Sequence, residues 1–97
     1  MEFIDKDVIL SKINEINEKL KAKGIKQLGY SIEDWRIIII GSEENGDLTE
    51  EQLEEMRRSG LLDYARYDGD DDFSYFWIPY KMPKHGFLVD ISYKRVL

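Results

Sequence analysis

Apolar residues recur at helical spacing in the first quarter of the chain. Between residues 6 and 23 they are separated by four, three and four positions, which places them on one face of a helix. The four positions of this face are Ile9, Ile13, Ile16 and Leu20. Asp5 or Asp7 suits the start of the helix, because a short carboxylate accepts hydrogen bonds from the free amides of the first turn. Gly24 suits its end, where the backbone turns left-handed.

The pattern changes to that of β-strands after this helix. Residues 25–30 and residues 35–40 are rich in apolar and β-branched side chains, and residues 31–34 suit a hairpin connection between them. The second of these segments ends in four consecutive isoleucines that would point to both faces of a sheet. This predicts an inner strand that is covered on both sides.

A second helix is predicted over residues 50–59, after a loop at residues 41–47. Thr49 and Gln52 have the spacing of a capping box, in which each side chain binds the backbone amide of the other residue. Gly60 then provides a left-handed stop. The outward positions of this helix are mostly acidic.

The rest of the chain has the composition of β-structure. Three strands are predicted, over residues 61–67, 73–80 and 87–93, and Pro79 places the middle one at a sheet edge or ends it, because proline cannot donate a ladder hydrogen bond. The predicted order is therefore α-β-β-α-β-β-β. Short connections favour a mostly antiparallel sheet with helices packed against it, so we expect one small α+β domain over residues 1–97.

Composition narrows the class of protein. The 97 residues are 42% hydrophobic and 35% charged, which is typical of a globular domain, and no apolar stretch is long enough to span a membrane. The absence of cysteine excludes disulfides, thiolate catalysis and cysteine-ligated metals. No secretory signal precedes the first helix, so we expect a cytoplasmic protein. The bias towards isoleucine, lysine, glutamate and asparagine is typical of an AT-rich bacterial or phage source.

The net charge of −6 is concentrated in the middle of the chain. Residues 1–42 are neutral, residues 43–72 carry −9, and residues 73–97 carry +3. This distribution disfavours direct nucleic-acid binding and anionic membranes. It permits a basic protein partner.

The most acidic stretch, residues 68–72, has the aspartate spacing with which an EF-hand loop begins. The turn glycine and the final glutamate of such a loop are replaced by Phe73 and Pro79. We therefore predict a five-residue hairpin loop with its surplus acids in solvent, and weak cation binding at this tip is left open. The surplus charge either discourages edge pairing or attracts a basic partner.

An aromatic strand follows the acidic stretch. Alternation places Phe73, Tyr75 and Trp77 on one face and Phe76, Ile78 and Tyr80 on the other. Either both faces are packed, or one row is exposed as a contact patch, since tyrosine and tryptophan are common at interface hot spots.

The sequence lacks the side-chain combinations of common catalytic sites. His85 is the only histidine, and no second histidine or cysteine could share a zinc ion with it. The loop at residues 41–47 lacks the lysine and the glycine spacing of a phosphate-binding loop. We expect neither an enzyme nor a cofactor.

These observations favour a small acidic, non-catalytic domain that binds a basic protein, as an immunity protein or a nucleic-acid-mimicking inhibitor does. The residues expected to carry that contact are Glu51, Glu54, Glu55, Asp70, Asp71, Asp72, Tyr75 and Trp77. One alternative is a structural domain that assembles, as a homodimer for example, through its aromatic strand. A further alternative is a small-ligand protein or a carboxylate enzyme.

Overall fold

A computed structural model of the chain describes residues 3–69 and 74–81. Its elements are helix α1 (Lys6–Ala22), strands β1 (Gly29–Ile32) and β2 (Arg36–Ile40), helix α2 (Glu50–Ser59), a 3₁₀ helix (Leu61–Tyr64), and strands β3 (Arg66–Gly69) and β4 (Ser74–Pro79). Two helices and a four-stranded antiparallel sheet form an α+β fold, as predicted. The predicted strand at residues 87–93 and the single histidine, His85, lie outside the described residues.

Helix α1 buries the apolar face that its spacing predicts. Its four buried residues are Ile9, Ile13, Ile16 and Leu20. Asp5 occupies the position before the first turn, but no cap hydrogen bond comes from its side chain, so the predicted aspartate cap is wrong in detail. The left-handed stop is confirmed at Gly24, with a φ of 74°.

Helix α2 begins and ends where its local signals predict. The Thr49 hydroxyl accepts from the Gln52 amide, the Gln52 side chain accepts from the Thr49 amide, and Gly60 has a φ of 83°. Gln52 is fully buried and also donates to the carbonyl of Lys26 (3.0 Å) and to the hydroxyl of Ser42 (3.2 Å). One amide therefore joins the start of α2 to the segments before β1 and after β2.

The predicted strand at residues 61–67 is wrong over its first half. The chain leaves Gly60 as a 3₁₀ helix, in which the Asp63 amide donates to the Gly60 carbonyl (3.3 Å) and the Ala65 amide to the Leu62 carbonyl (3.1 Å). This tight turn buries Leu61 in the core. Strand β3 begins only at Arg66.

The first hairpin lies later in the chain than predicted. Strand β1 includes Ile32, and the Glu33 amide donates to the Arg36 carbonyl (2.8 Å), so only two residues form the turn. The backbone of Leu28, inside the predicted strand, binds the side chain of Asn17 at both its amide and its carbonyl. A helix side chain thus replaces a partner strand at this position.

The strand order is β1-β2-β4-β3, with every pair antiparallel. The aromatic strand β4 is therefore interior, and it ends at Pro79. Asp68 and Gly69 pair with Tyr75 and Ser74 inside the sheet, so the predicted loop over residues 68–72 is wrong at its first two positions.

Both helices pack on one face of the sheet. Ile37, Ile39 and Ile78 are fully buried there, in one cluster with the apolar face of α1 and with Met56 of α2. None of the described helices and strands covers the opposite face, where alternate residues of β2 are only half-buried. The predicted cover on both sides of β2 is therefore absent from the described part of the chain.

Candidate functional site

The face of the sheet opposite the helices, here called the open face, combines aromatic, aliphatic and charged side chains. The register of the strands places on it Arg36, Ile38 and Ile40 from β2, Tyr75 and Trp77 from β4, and Arg66 and Asp68 from β3. A sheet face of this composition is more apolar than an ordinary solvated surface.

A groove of about 430 Å³ lies at the end of β4 on this side. Five apolar residues, Phe3, Trp35, Trp77, Pro79 and Tyr80, and two basic residues, Arg66 and Lys81, line this aromatic groove. The rings of Trp35 and Trp77 meet edge to face, with their centroids 5.3 Å apart and an interplanar angle of 79°. Trp35 is 48% exposed, so a large aromatic surface remains free for contact.

Arg36 lies among the aromatic rings of the open face. Its guanidinium carbon is 5.0 Å from the Trp35 ring centroid, 5.2 Å from that of Trp77 and 5.7 Å from that of Tyr75. Its Nε atom donates to Glu33 (2.8 Å), and this hydrogen bond raises the pKa of Arg36 above its ordinary value. Stacking and the ion pair hold the guanidinium in one orientation and keep it charged.

Hydrogen bonds to main-chain carbonyls fix the wall of the aromatic groove. The Tyr80 amide donates to the Trp35 carbonyl (3.1 Å), and the Tyr80 hydroxyl donates to the carbonyl of Glu33. On the other side, the Lys81 amide donates to the Ile4 carbonyl (2.9 Å). The groove is thus built on paired backbone, which reduces the entropy lost when a ligand binds.

A second, acidic depression of about 330 Å³ lies beside α2. Its lining residues are Lys23, Ile25, Glu50, Glu51, Glu54 and Glu55. Glu55 is only 3% exposed and binds Lys23 (2.5 Å), and this hydrogen bond lowers the pKa of Glu55 despite the opposing effect of burial. Glu54 bonds both Arg57 (2.5 Å) and Arg58 (3.1 Å). Two of the carboxylates are therefore already paired within the chain.

The predicted contact residues fall into separate groups. Glu51, Glu54 and Glu55 are brought together in the acidic depression. Tyr75 and Trp77 lie on the open face, across the sheet from α2. The predicted residues Asp70, Asp71 and Asp72 lie outside the described residues. A single flat contact therefore cannot include both groups.

The sequence reading missed Trp35 as a site residue, because it was assigned to a strand. The position of Trp35 directly after two acids at a predicted hairpin was a usable signal, because connecting segments lie on the surface and tryptophan is common at binding hot spots. The stacking around Arg36 could not have been found in this way. It depends on the pairing of β2 with β4, which are separated by more than thirty residues of chain.

Metal-ligand clusters and membrane-spanning helices are absent from the described residues. Within residues 3–69 and 74–81, no three acidic or histidine side chains group so as to hold a metal ion. Neither of the two described α-helices is long and apolar enough to cross a membrane. Comparison with protein-family models, curated proteins and solved structures finds no match to this chain. The functional conclusion therefore rests on geometry and charge.

Proposed function

We propose that this chain is a non-catalytic protein-binding domain whose contact surface is centred on the aromatic groove. One observation carries the proposal: the paired Trp35 and Trp77 rings line a groove on a sheet face that no described element covers. Tryptophan, tyrosine and arginine are the residues most enriched at binding hot spots, and all three occur together here.

The groove has the chemistry to take one apolar anchor side chain. Its lining is largely aromatic, and its volume of about 430 Å³ is within the range of pre-formed binding pockets. The orienting groups are the fixed guanidinium of Arg36 and the nearby Arg66, whose guanidinium carbon lies 5.6 Å from the centroid of the Trp77 ring. A partner segment would therefore combine an apolar anchor with polar groups that accept hydrogen bonds.

The acidic middle of the chain suggests that the partner as a whole is basic. Clustered negative charge raises the rate at which a basic surface is encountered, without itself providing much affinity. In this proposal the two surfaces have different roles: acids such as Glu51 attract the partner, and the aromatic groove binds it. An immunity-type or inhibitor role in the cytoplasm belongs to the same proposal.

Assembly through the aromatic strand is restricted by the sheet order. Both edges of β4 are hydrogen-bonded, to β2 and to β3, so β4 cannot add a strand from another chain. A second copy could contact only its side chains on the open face. Small-ligand binding in the same groove is the remaining alternative, and it predicts saturation by a small aromatic compound rather than by a protein.

The test uses three forms of the full chain as bait in the native cell lysate: the wild type, Trp35→Ser and the control Tyr67→Ser. Trp35 is exposed in a turn, so its replacement should leave the fold intact. Tyr67 is 55% exposed on β3 and does not line the groove. A stoichiometric partner identified by mass spectrometry is then purified, and its affinity for each form is measured by calorimetry.

We expect Trp35→Ser to weaken binding at least about tenfold, as for a hot-spot residue, and Tyr67→Ser to leave it unchanged. Equal loss in both variants would indicate a general effect on folding and would contradict the proposal. So would a partner that binds Trp35→Ser as tightly as the wild type. Recovery of no partner at either low or high salt would favour the small-ligand alternative.

A further inference from the structure

Strand β1 forms one edge of the described sheet, and all four of its residues are exposed. In an antiparallel pair, the backbone groups of successive residues point alternately towards and away from the partner strand. Glu33 donates to Arg36 across the turn, so Glu33 and Ser31 face β2. The amides and carbonyls of Tyr30 and Ile32 consequently face outward, and no described residue hydrogen-bonds to them.

The outer edge of β1 lacks the features that usually prevent pairing with another chain. Edge strands that are protected from such pairing commonly carry lysine, proline or an inward-pointing charge. The sequence Gly-Tyr-Ser-Ile has none of these, whereas the other edge strand, β3, carries Arg66 and Asp68. Within residues 3–69 and 74–81, the edge is closed only at Leu28, where Asn17 donates to the carbonyl (3.1 Å) and accepts from the amide (2.7 Å). No described residue pairs with the two outward-facing residues, Tyr30 and Ile32.

We propose that β1 pairs antiparallel with β1 of a second copy, across a two-fold axis that passes beside Ser31. This register places Tyr30 opposite the partner's Ile32, and the symmetry repeats the same pair on the other side of the axis. Each pair joins two outward-facing residues and so forms two backbone hydrogen bonds, four in total. The four-stranded sheets of the two copies then become one continuous sheet.

The side chains at this edge are suited to the same arrangement. Tyr30 is 44% exposed and Ile32 is 47% exposed. In the proposed dimer, Tyr30 of each copy packs against Ile32 of the partner subunit. Pairs of an aromatic and a β-branched residue are among the favourable cross-strand contacts. The antiparallel arrangement also brings the turn of one copy, which contains Asp34, towards the segment that precedes β1 in the other copy, which contains Lys26. These exposed charges are opposite in sign.

Sedimentation equilibrium of the full chain over a concentration series up to roughly millimolar tests this proposal, since weak association is visible there. The variants are Ile32→Lys and Tyr30→Lys, which place a charge on the outer edge. The control is Tyr67→Lys, the same kind of change on β3. Circular dichroism checks that each variant is folded.

We expect the wild type and Tyr67→Lys to form a dimer with the same dissociation constant. Either edge variant should raise that constant at least tenfold. A wild type that stays monomeric throughout, or a dimer that both edge variants leave unchanged, would overturn the proposal. Trp35→Ser should dimerise normally, so failure of the edge and failure of the aromatic groove are distinguishable.

Discussion

At the scale of single residues, Gly41 is a position where the neighbouring backbone leaves no room for a side chain. A Cβ atom built there would lie 2.0 Å from the carbonyl oxygen of Asp47 and 2.4 Å from its carbonyl carbon. Both atoms belong to the main chain of the loop that leads into α2, and the Gly41 amide is bonded to the Gly46 carbonyl (2.8 Å). This close approach holds the loop against the end of β2.

We predict that Gly41→Ala lowers the free energy of unfolding by about 1–3 kcal/mol, as overpacking against rigid atoms commonly does. The control is Gly29→Ala, where a Cβ would meet Ile40 at an ordinary 3.6 Å. Urea denaturation of both variants measures the difference. Equal stability of the two variants would show that the loop moves aside without cost.

At the scale of elements, the two helices are joined by one contact at the C-terminal end of α2 and by another near its middle. Lys12 of α1 donates to the carbonyl of Ser59 (3.1 Å) at the end of α2. Lys23, directly after α1, binds Glu55 in the acidic depression. The second contact is titratable. A carboxyl whose pKa is lower in the folded state stabilises the fold above its unfolded pKa, and this contribution disappears as the pH falls through the folded pKa.

We therefore predict that the free energy of unfolding of the wild type falls on acidification below the ordinary glutamate pKa of 4.5. Glu55→Gln should be less stable than the wild type at neutral pH and should lose less stability in acid. Glu54→Gln, which alters a more exposed carboxylate, is the control. Denaturation curves between about pH 7 and pH 3 provide the measurement. Parallel pH profiles for Glu55→Gln and the wild type would contradict this role of Lys23.

At the scale of the whole molecule, charge and contact surface are separated. The acids are concentrated in residues 43–72, whereas the aromatic groove carries two basic residues. Long-range attraction depends on the total charge and its position, and it is screened by salt within about 10 Å at 0.1 M. Affinity depends on the few side chains that are desolvated at the contact.

This separation predicts different kinetic effects for different variants. The combined change Asp70→Asn, Asp71→Asn and Asp72→Asn should slow association with the proposed basic partner several-fold at low salt, and the dissociation rate should change little. The control carries the same change in net charge at three exposed glutamates: Glu43→Gln, Glu44→Gln and Glu50→Gln. Stopped-flow association at two salt concentrations distinguishes them. Equal slowing in both sets would mean that only the net charge matters, and not the position of the three aspartates in the sequence.

Some predictions from the sequence were accurate because the forces behind them act over a few residues. Helix α2 has its predicted bounds, because the signals at its two ends are local. Thr49 and Gln52 form the capping box at its start, and Gly60 makes the left-handed turn at its end. The buried face of α1 also follows from its spacing. The strand predicted over residues 61–67 failed because apolar residues after a helix stop suit a strand and a 3₁₀ turn equally well, and burial of Leu61 decided between them.

The sequence by itself determined the fold class, the helix ends and the concentration of acid in the middle of the chain. These depend on residue identity and on neighbours close in the chain. Only the tertiary structure decided that β4 is interior, that Trp77 faces away from the helices beside Trp35, and that Glu55 is paired with Lys23. The physical reason is that strand pairing and burial join residues distant in sequence. Hydrophobic periodicity shows which residues share a face, but not what lies against it.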